Sequence, residues 1–377
     1  MNNNPKVSII TVVLNGEKTI EQTILSVINQ TYKNIEYIII DGDSSDGTMD
    51  IVQKYSKYIS LIISERDAGL YDAMNKGINH ATGDIIGIIN SDDWYEQDAV
   101  EKIVQKMMLE DAELIHGDVR RIKEDGKSYI SKPSNLREIV IYMPIYHPTV
   151  FIKRNIYTMK GGFDTQYEIA ADYELLLRLY YKNVEYTYIP EVIANFRENG
   201  ISEKRWFECK NEALRIAYKY ADQSGKREEV LTHLREQYKW NIFLKNILEK
   251  NNLLENLVNK FFNVKFKEIV IWGAGIWGKH CSTALNKSNM NIVKIIDNCQ
   301  EKWNMLQNGI KINGPENIHE KDYVLIAVKE NSEIIKEQAI KKISGTQIVT
   351  ISELVDFWEK NYFNGELEDI IIVGENE

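Results

Sequence analysis

Along the first hundred residues, short unbroken apolar runs alternate with segments whose apolar positions recur every three or four residues. Val7 to Leu14, Ile35 to Ile40, a stretch near Ile59 to Ser64, and Asp84 to Asn90 are rich in β-branched residues. Runs of this kind read as strands buried on both faces of a parallel sheet. Between them, Ile20, Ile24, Val27 and Ile28 keep helical spacing behind the capping-box pattern Thr19-Ile20-Glu21-Gln22. Met49 to Tyr58 predicts a second helix, and Asp67 to Gly77 is a turn entering a third that ends near Gly83. The βαβαβαβ order predicts a doubly wound, mostly parallel α/β sheet. Each strand runs into a polar turn: Asn15-Gly16, then Asp41-Gly42-Asp43-Ser44-Ser45-Asp46-Gly47-Thr48, then Ser91-Asp92-Asp93. Ligands of such sheets collect beyond the carboxyl ends of the strands.

Farther along, Leu114 to Asp118 predicts another strand and Glu124 to Lys127 a hairpin turn. An amphipathic helix begins at Asp172. Residues 206–262 read as helices, with Trp240, Phe243, Leu244, Ile247 and Leu248 forming an apolar stripe continued by Leu253, Leu254, Leu257 and Val258. That stripe predicts packing on the first domain or self-association as a homodimer. Its flanking lysines leave peripheral membrane association as the alternative. The strand pattern then restarts: Glu268 to Trp272, the loop Gly273-Ala274-Gly275-Ile276-Trp277-Gly278 opening a helix, Ile292 to Ile296 ending in Asp297, and Tyr323 to Val328. This order is the dinucleotide-binding fingerprint in context. It makes Gly273, Gly275, Gly278 and Asp297 a candidate nucleotide site, unless the glycines serve only close strand–helix packing. The expected division is 1–204, a helical region 205–264, a smaller α/β domain 265–360, and a tail 361–377.

At 377 residues the chain is long enough for two domains, and 44% apolar residues suffice for two cores. A net charge of −10 without a long basic stretch argues against nucleic acid as a partner. Cys209, Cys281 and Cys299 are scattered, as in proteins of a reducing cytoplasm. No apolar segment approaches a membrane-spanning length and the first residues carry no signal-peptide pattern. The expected place is the cytoplasm, at the inner membrane face if a membrane pathway is served.

Asp92 and Asp93 are the sharpest chemical feature. Two carboxylates at a strand end, without His or Cys nearby, suit Mg2+ or Mn2+ holding the phosphates of a substrate. The competing reading is an N-cap for a helix over Glu96 to Met108. The Asp41–Thr48 loop is not a calcium loop of the EF-hand kind, because Asp46 stands where the turn glycine belongs and Val52 where the bidentate Glu belongs.

Taken together, Val7–Asn15, Asp41–Thr48, Asp67–Gly77 and Ser91-Asp92-Asp93 resemble the successive motifs of the family 2 glycosyltransferases of the GT-A fold, over roughly residues 5–204. The resemblance implies transfer of a sugar from a nucleotide-diphosphate donor, a UDP-sugar, with inversion. It implies Mn2+ or Mg2+ as cofactor and a glycan or lipid-linked acceptor in surface polysaccharide or O-antigen assembly. It implies that Asp41 reads the base, Asp92 meets the ribose and Asp93 holds the metal. Val13, Asn15, Asp43, Asp67, Asn75, Lys76 and Ser91 complete the expected donor site. His147 falls at an acceptor position and Asp172 at that of the catalytic base, with Glu174 as its rival. The chain departs from the family pattern at Leu14, where many members have Tyr, and at Gly42 and Asp43, where many have Asp and Gly. Ser202-Glu203-Lys204-Arg205-Trp206 lacks the Gln of the QxxRW motif of processive synthases, so a non-processive enzyme is expected, with Lys204 or Arg205 near the diphosphate. The second α/β region resembles the small Rossmann-like domain attached to several sugar-modifying proteins. An oxidoreductase or dehydratase built on that region is the rival activity, and the chain contains no Tyr-x-x-x-Lys pair to support it. A non-catalytic nucleotide-sugar-binding scaffold is the remaining alternative.

Overall fold

The computed structural model of the chain describes residues 4–363 apart from 199 and 266. It divides into two compact units, Met1–Leu234 and Arg235–Glu377. Of the expected tail, residues 364–377 lie outside the described residues.

The first unit opens with β1 (Val7–Val13), α1 (Ile20–Ile28), β2 (Ile35–Asp41), α2 (Thr48–Lys54), β3 (Leu61–Ser64), α3 (Leu70–His80) and β4 (Ile85–Asn90). β1 is buried at every position and β4 at all but its last residue, as strands covered on both faces must be. The pairs β1–β2, β1–β4 and β2–β3 are parallel. Their register sets Val13 beside Asp41, Val12 beside Asn90 and Asp41 beside Ser64, so the polar turns share one sheet edge.

The helices have sharper limits than the pattern predicts. Thr19 makes no side-chain cap to α1. The expected partner, Gln22, instead accepts a bond from the Arg197 guanidinium. The expected second helix stops at Lys54 and continues only as a 3-10 turn at Ser56–Tyr58.

The chain continues through β5 (Trp94–Tyr95), α4 (Ala99–Glu110), β6 (Leu114–Ile122), β7 (Ser128–Ser131), β8 (Phe151–Lys153), α5 (Arg154–Lys160), α6 (Ala171–Tyr181), β9 (Tyr186–Arg197), α7 (Ile201–Lys204) and α8 (Trp206–Tyr220). These strands extend the sheet to the order β3-β2-β1-β4-β8-β6-β9-β5, with β7 paired to β6. Pairing turns antiparallel at β4–β8, β8–β6, β9–β5 and β6–β7, so the sheet is mixed.

The unit boundary falls within α9 (Arg227–Glu249). Then come α10 (Leu253–Phe262), β10 (Glu268–Trp272), α11 (Ile276–Leu285), β11 (Asn291–Ile296), β12 (Leu306–Gln307), β13 (Ile310–Asn313), β14 (Val324–Ile326), α12 (Ser332–Ile340), β15 (Ile348–Thr350) and α13 (Ile351–Tyr362). The second unit has its own sheet, ordered β12-β13-β11-β10-β14-β15 and parallel except at β12–β13. The apolar stripe of Trp240, Phe243 and Ile247, with Leu254, Leu257 and Val258, packs into this unit's core against Ile269, Leu325 and Trp358. This corrects the expectation that the stripe covers the first domain or a second copy. Helical spacing shows that a face is buried but does not name what buries it.

Candidate active site

The carboxyl ends of β1, β2 and β4 border a cleft of about 570 Å³. Val13, Leu14, Asn15 and Gly16 line it from β1, and Gly42 lines it from β2. Asp67, Leu70 and Ala73 line it from the start of α3, and Asn90, Ser91 and Asp92 from β4. Phe196, Ile201, Ser202 and Lys204 close the far side. A Cβ on Gly16 would lie 2.7 Å from Val13 Cγ2 and 3.2 Å from Ser91 Oγ, so the first and fourth strand ends meet with no room for a side chain. Asn15 adopts a left-handed φ of 53°. Its N–H donates to Ser44 Oγ at 2.8 Å and its Oδ1 accepts the Ser45 N–H at 2.9 Å, which pins the 41–48 loop to the end of β1.

The two acids after β4 sit in different surroundings. The Thr23 hydroxyl lies 3.0 Å from the Ser91 carbonyl and 2.7 Å from that of Asp93, which fixes the turn. β5 follows at once, and α4 begins only at Ala99 behind Asp98. Neither acid therefore caps that helix, and the N-cap reading fails. Asp92 lines the cleft. Asp93 is 1% exposed; its Oδ1 accepts the Arg197 N–H at 3.0 Å and its buried Oδ2 has no hydrogen-bond partner. Burial raises the pKa of Asp92. Burial, followed by the charge of Asp92, pushes Asp93 well above the usual carboxylate range. The Arg197 guanidinium lies over the Trp94 ring, 4.7 Å from its centroid, and donates to Gln22. The fold thus holds two adjacent acids in a desolvated place where both are disposed to take up a proton. Expected roles had placed the metal on Asp93 and the ribose on Asp92; the structure gives cleft access to Asp92 and sinks Asp93 beneath it.

The donors around this edge fit a hard cation in part. Asp93 Oδ2, Asn90 Oδ1 and Asp41 Oδ1 are buried oxygens without hydrogen-bond partners. No group of three or more His, Cys, Asp or Glu is placed to hold an ion among the described residues. A carboxylate with the remaining ligands from water and substrate phosphates is the usual holding of Mg2+, and the residues present fit that arrangement.

Other expected donor-site residues are spent inside the fold. Asp41 is fully buried, and its Oδ2 accepts the Ser44 N–H at 3.1 Å and the Ser64 hydroxyl at 2.6 Å. Asp43 is an exposed loop residue at φ 69° outside the cleft lining. Asn75 exchanges two hydrogen bonds with the Phe163 backbone, both 2.9 Å. Lys76 is paired with Asp67 at 2.6 Å and Glu65 at 2.9 Å, and these partners raise its pKa. Asp41, Asn75 and Lys76 hold loops together rather than line the cleft, and Asp43 stands exposed outside its lining. Val13, Asn15, Asp67, Ser91 and Asp92 do line it.

Beside the cleft, Asp172 occupies the first turn of α6, whose N-cap position is Ala170. Its Oδ1 accepts the Tyr173 N–H at 2.9 Å and lies 3.1 Å from the Tyr71 hydroxyl. Tyr71 follows Leu70, a cleft residue, on α3, and its hydroxyl ties Asp172 and the Ile169 carbonyl to that helix. His147 packs its edge on Phe163 with centroids 5.8 Å apart. Burial lowers its pKa, and the nearby Asp172 works against that shift. Glu174, the rival base, is buried between Arg178 Nε at 3.0 Å and the Tyr220 hydroxyl at 2.6 Å, which leaves it no role with a substrate. Of the two candidate cations, Lys204 lines the cleft, whereas Arg205 is paired with Glu168 at 3.0 Å. Tyr71 lies within the Asp67–Gly77 motif but has no expected role there, and Phe196 and Arg197 carry no sequence signal, since they come to this region only through tertiary contact.

In the second unit, Gly273 has φ 117°, and a Cβ on Gly278 would fall 1.7 Å from the Gly273 carbonyl oxygen. Both glycines are therefore required by the turn itself. Gly275 faces open space. Asp297 is engaged within the turn. Its Oδ2 accepts the Ala274 N–H at 2.7 Å and a bond from Lys302 at 3.2 Å, and its Oδ1 accepts the Cys299 N–H at 2.8 Å.

Residues 8–201, just over half of the chain, match the glycosyl transferase family 2 description, and residues 265–357 match the C2185-like, N-terminal family. The PGL/p-HBAD biosynthesis glycosyltransferases of Mycobacterium bovis and Mycobacterium tuberculosis are 28% identical over 202 residues, 52% of this chain and 78% of theirs. GlyA of Streptococcus pneumoniae is 34% identical over 127 residues, 33% of this chain and 18% of its own. Among solved structures, S. aureus TarS 1–349 in complex with UDP-GlcNAc superposes with a TM-score of 0.52 at 16% identity, covering 68% of this chain and 80% of that one. Against the longer TarS structure the match spans about half, 47%, of that chain. The mannosyltransferase PcManGT of Pyrobaculum calidifontis, in complex with GDP-Man and Mn2+, gives 0.50 at 19% identity over 64% of this chain and 72% of that one. These structures share the mixed sheet of the first unit and show it to be of the GT-A kind. With the family match, the similar enzymes and the sheet in agreement, the chain belongs to the family 2 glycosyltransferases.

Proposed function

We propose that the first unit moves a sugar from a UDP-sugar, with inversion and with Mn2+ or Mg2+, to a hydroxyl of a glycan or lipid-linked acceptor in surface polysaccharide assembly. The observation that carries this reading is the desolvated acid pair after β4, with Asp92 in the cleft lining and Asp93 buried with an unpartnered carboxylate oxygen. The UDP-GlcNAc and Mn2+ complexes of proteins with this fold support the donor and the ion.

Leu14, 63% exposed at the cleft, offers an apolar face to the base. Asp67 Oδ2, which would lie 3.1 Å from a Cβ on Gly42, takes an N–H of the base edge. Asp92 would hold the ion, which when bound would neutralise charge developing on the departing nucleotide. Lys204 adds a positive charge on the opposite wall. Asp172 accepts the acceptor hydroxyl's proton as its oxygen bonds to the anomeric carbon and the bond to the diphosphate breaks. One displacement of this kind inverts the anomeric centre. His147, beside Asp172 and disposed to be neutral, lies on the acceptor side. We read the second unit as Rossmann-like, from its parallel strands and glycine turn, with Asp297 stabilising that turn. No helix among the described residues is long and apolar enough to cross a membrane, and we place the reaction in the cytoplasm at the inner membrane face.

Release of UDP from a panel of UDP-sugars, with Mn2+ and after its removal with EDTA, tests this reading. Metal-dependent turnover that falls by about 10²-fold or more in Asp172→Asn, as loss of a general base would cause, is the expected result. Turnover unchanged in Asp172→Asn removes the base from the account.

A further inference from the structure

Helix α6 carries Asp172 yet starts badly. Its N-cap is Ala170, which has no side-chain acceptor, and no side chain of its own caps it. The amides of Glu168, Ile169 and Ala170 approach this end of the helix and need acceptors in a region where Ile169 and Ala170 are buried. All three are met by one residue. Glu212 of α8, itself 6% exposed, accepts the Glu168 N–H on Oε1 at 2.8 Å. Its Oε2 accepts the Ile169 N–H at 2.8 Å and the Ala170 N–H at 2.9 Å. The carbonyl of Ile169 lies 2.7 Å from the Tyr71 hydroxyl, which is also 3.1 Å from Asp172 Oδ1. One loop residue is thus held through its N–H by Glu212 and through its C=O by the tyrosine that touches Asp172.

We propose that Glu212 is a positioning residue for the transfer step, fixing the 168–170 segment so that Asp172 meets the acceptor hydroxyl at the cleft. This rests on the reading of Asp172 as base. Glu212 lies beyond residues 8–201, so the family match does not reach it. A charged acceptor taking three amides outweighs an ordinary hydrogen bond, because each bond to a carboxylate is about twice as strong as a neutral one. An amide in its place would present an NH2 to an N–H. The loop would then shift, and a displacement of about 1 Å at a reacting group costs about 10²-fold in rate.

The test uses the full chain and a panel of UDP- and GDP-linked hexoses with Mn2+. The sugar turned over fastest by the unsubstituted protein serves throughout. Glu212→Gln is expected to lower kcat by about 10-fold to 100-fold while the KM for the donor stays within about twofold. Asp172→Asn and the double variant complete a cycle: the double variant is expected to be no slower than Asp172→Asn alone, because a displaced base that is already absent costs nothing more. Equal kcat for Glu212→Gln and the unsubstituted chain overturns the proposal, and so does a double variant whose loss is the product of the two single losses. If Asp172→Asn itself turns over normally, the base assignment falls instead. Should Glu212→Gln fail to fold, Glu212→Asp replaces it, keeping the charge while losing reach. A folded Glu212→Asp with unchanged kcat counts against the proposal, and a lowered kcat at unchanged donor KM supports it.

Discussion

Asp92 and Asp93 stand in the turn after β4, yet only Asp92 lines the cleft, while Asp93 is buried and accepts the Arg197 N–H. The sequence marked this place as a candidate for a hard-cation site. It could not show which acid faces out, because that depends on β9 passing beneath and donating the Arg197 N–H to Asp93. The same reasoning covers Asn75 and Lys76, whose polar groups are legible but whose partners, Phe163 and Asp67, are fixed by tertiary contact. A pH dependence follows from the pair. Both pKa values are raised, Asp92 by burial and Asp93 by burial and then by its neighbour. Raised carboxylate values mean that the folded pair favours a proton at low pH, and that its contribution to stability is lost as pH rises through the folded pKa. A divalent ion must displace that proton. Stabilisation by Mn2+ alone, read as a shift in Tm, is therefore expected to grow between pH 5.5 and 7.5. An equal or larger shift at the lower pH contradicts the assignment.

At the scale of elements, the parallel strands were readable because burial on both faces leaves unbroken apolar runs, and β1, β2 and β4 lie where those runs predict. The short β12, β13 and β15 were not, since none of them lies in an apolar run long enough to stand out from the loops around it. The edge opposite the cleft shows how these elements are tied together. Glu36 on β2 accepts bonds from Lys6 at 2.8 Å, Ser8 at 2.5 Å and the Thr82 N–H at 2.7 Å. Burial alone would raise its pKa, but these bonds outweigh burial and lower it from 4.5 to about 2. A depressed carboxylate contributes stability above its unfolded pKa and loses it as pH falls towards the folded value. The difference corresponds to about 2–3 kcal/mol. Glu36→Gln is accordingly expected to weaken the first unit by about that amount in urea unfolding at pH 7, and by clearly less at pH 3. An equal loss at both pH values would show that shape rather than charge carries the contribution.

For the whole molecule, composition and the restarted strand pattern announced two α/β units. The division between them was hidden, because the helices of residues 206–262 look alike along their length while α8 packs with α6 in the first unit and the Trp240 stripe joins the core of the second. Every cleft residue and Asp172, Tyr71 and Glu212 precede Arg235. A chain ending at Leu234 is therefore expected to release UDP from its donor at a rate within about threefold of the full chain, since no residue of the chemical step is lost. A folded but inactive 1–234 fragment would place part of the machinery in the second unit.

The central claim is that the first unit holds a nucleotide diphosphate and a divalent ion through Asp92 at the carboxyl end of β4. Calorimetric titration of UDP into the protein, with and without Mn2+, for the unsubstituted chain and Asp92→Asn tests it most directly. The account predicts binding that strengthens at least tenfold with Mn2+ in the unsubstituted chain and gains little from Mn2+ in Asp92→Asn, as expected when an ion loses its anchoring carboxylate. The same gain from Mn2+ in both proteins would contradict it.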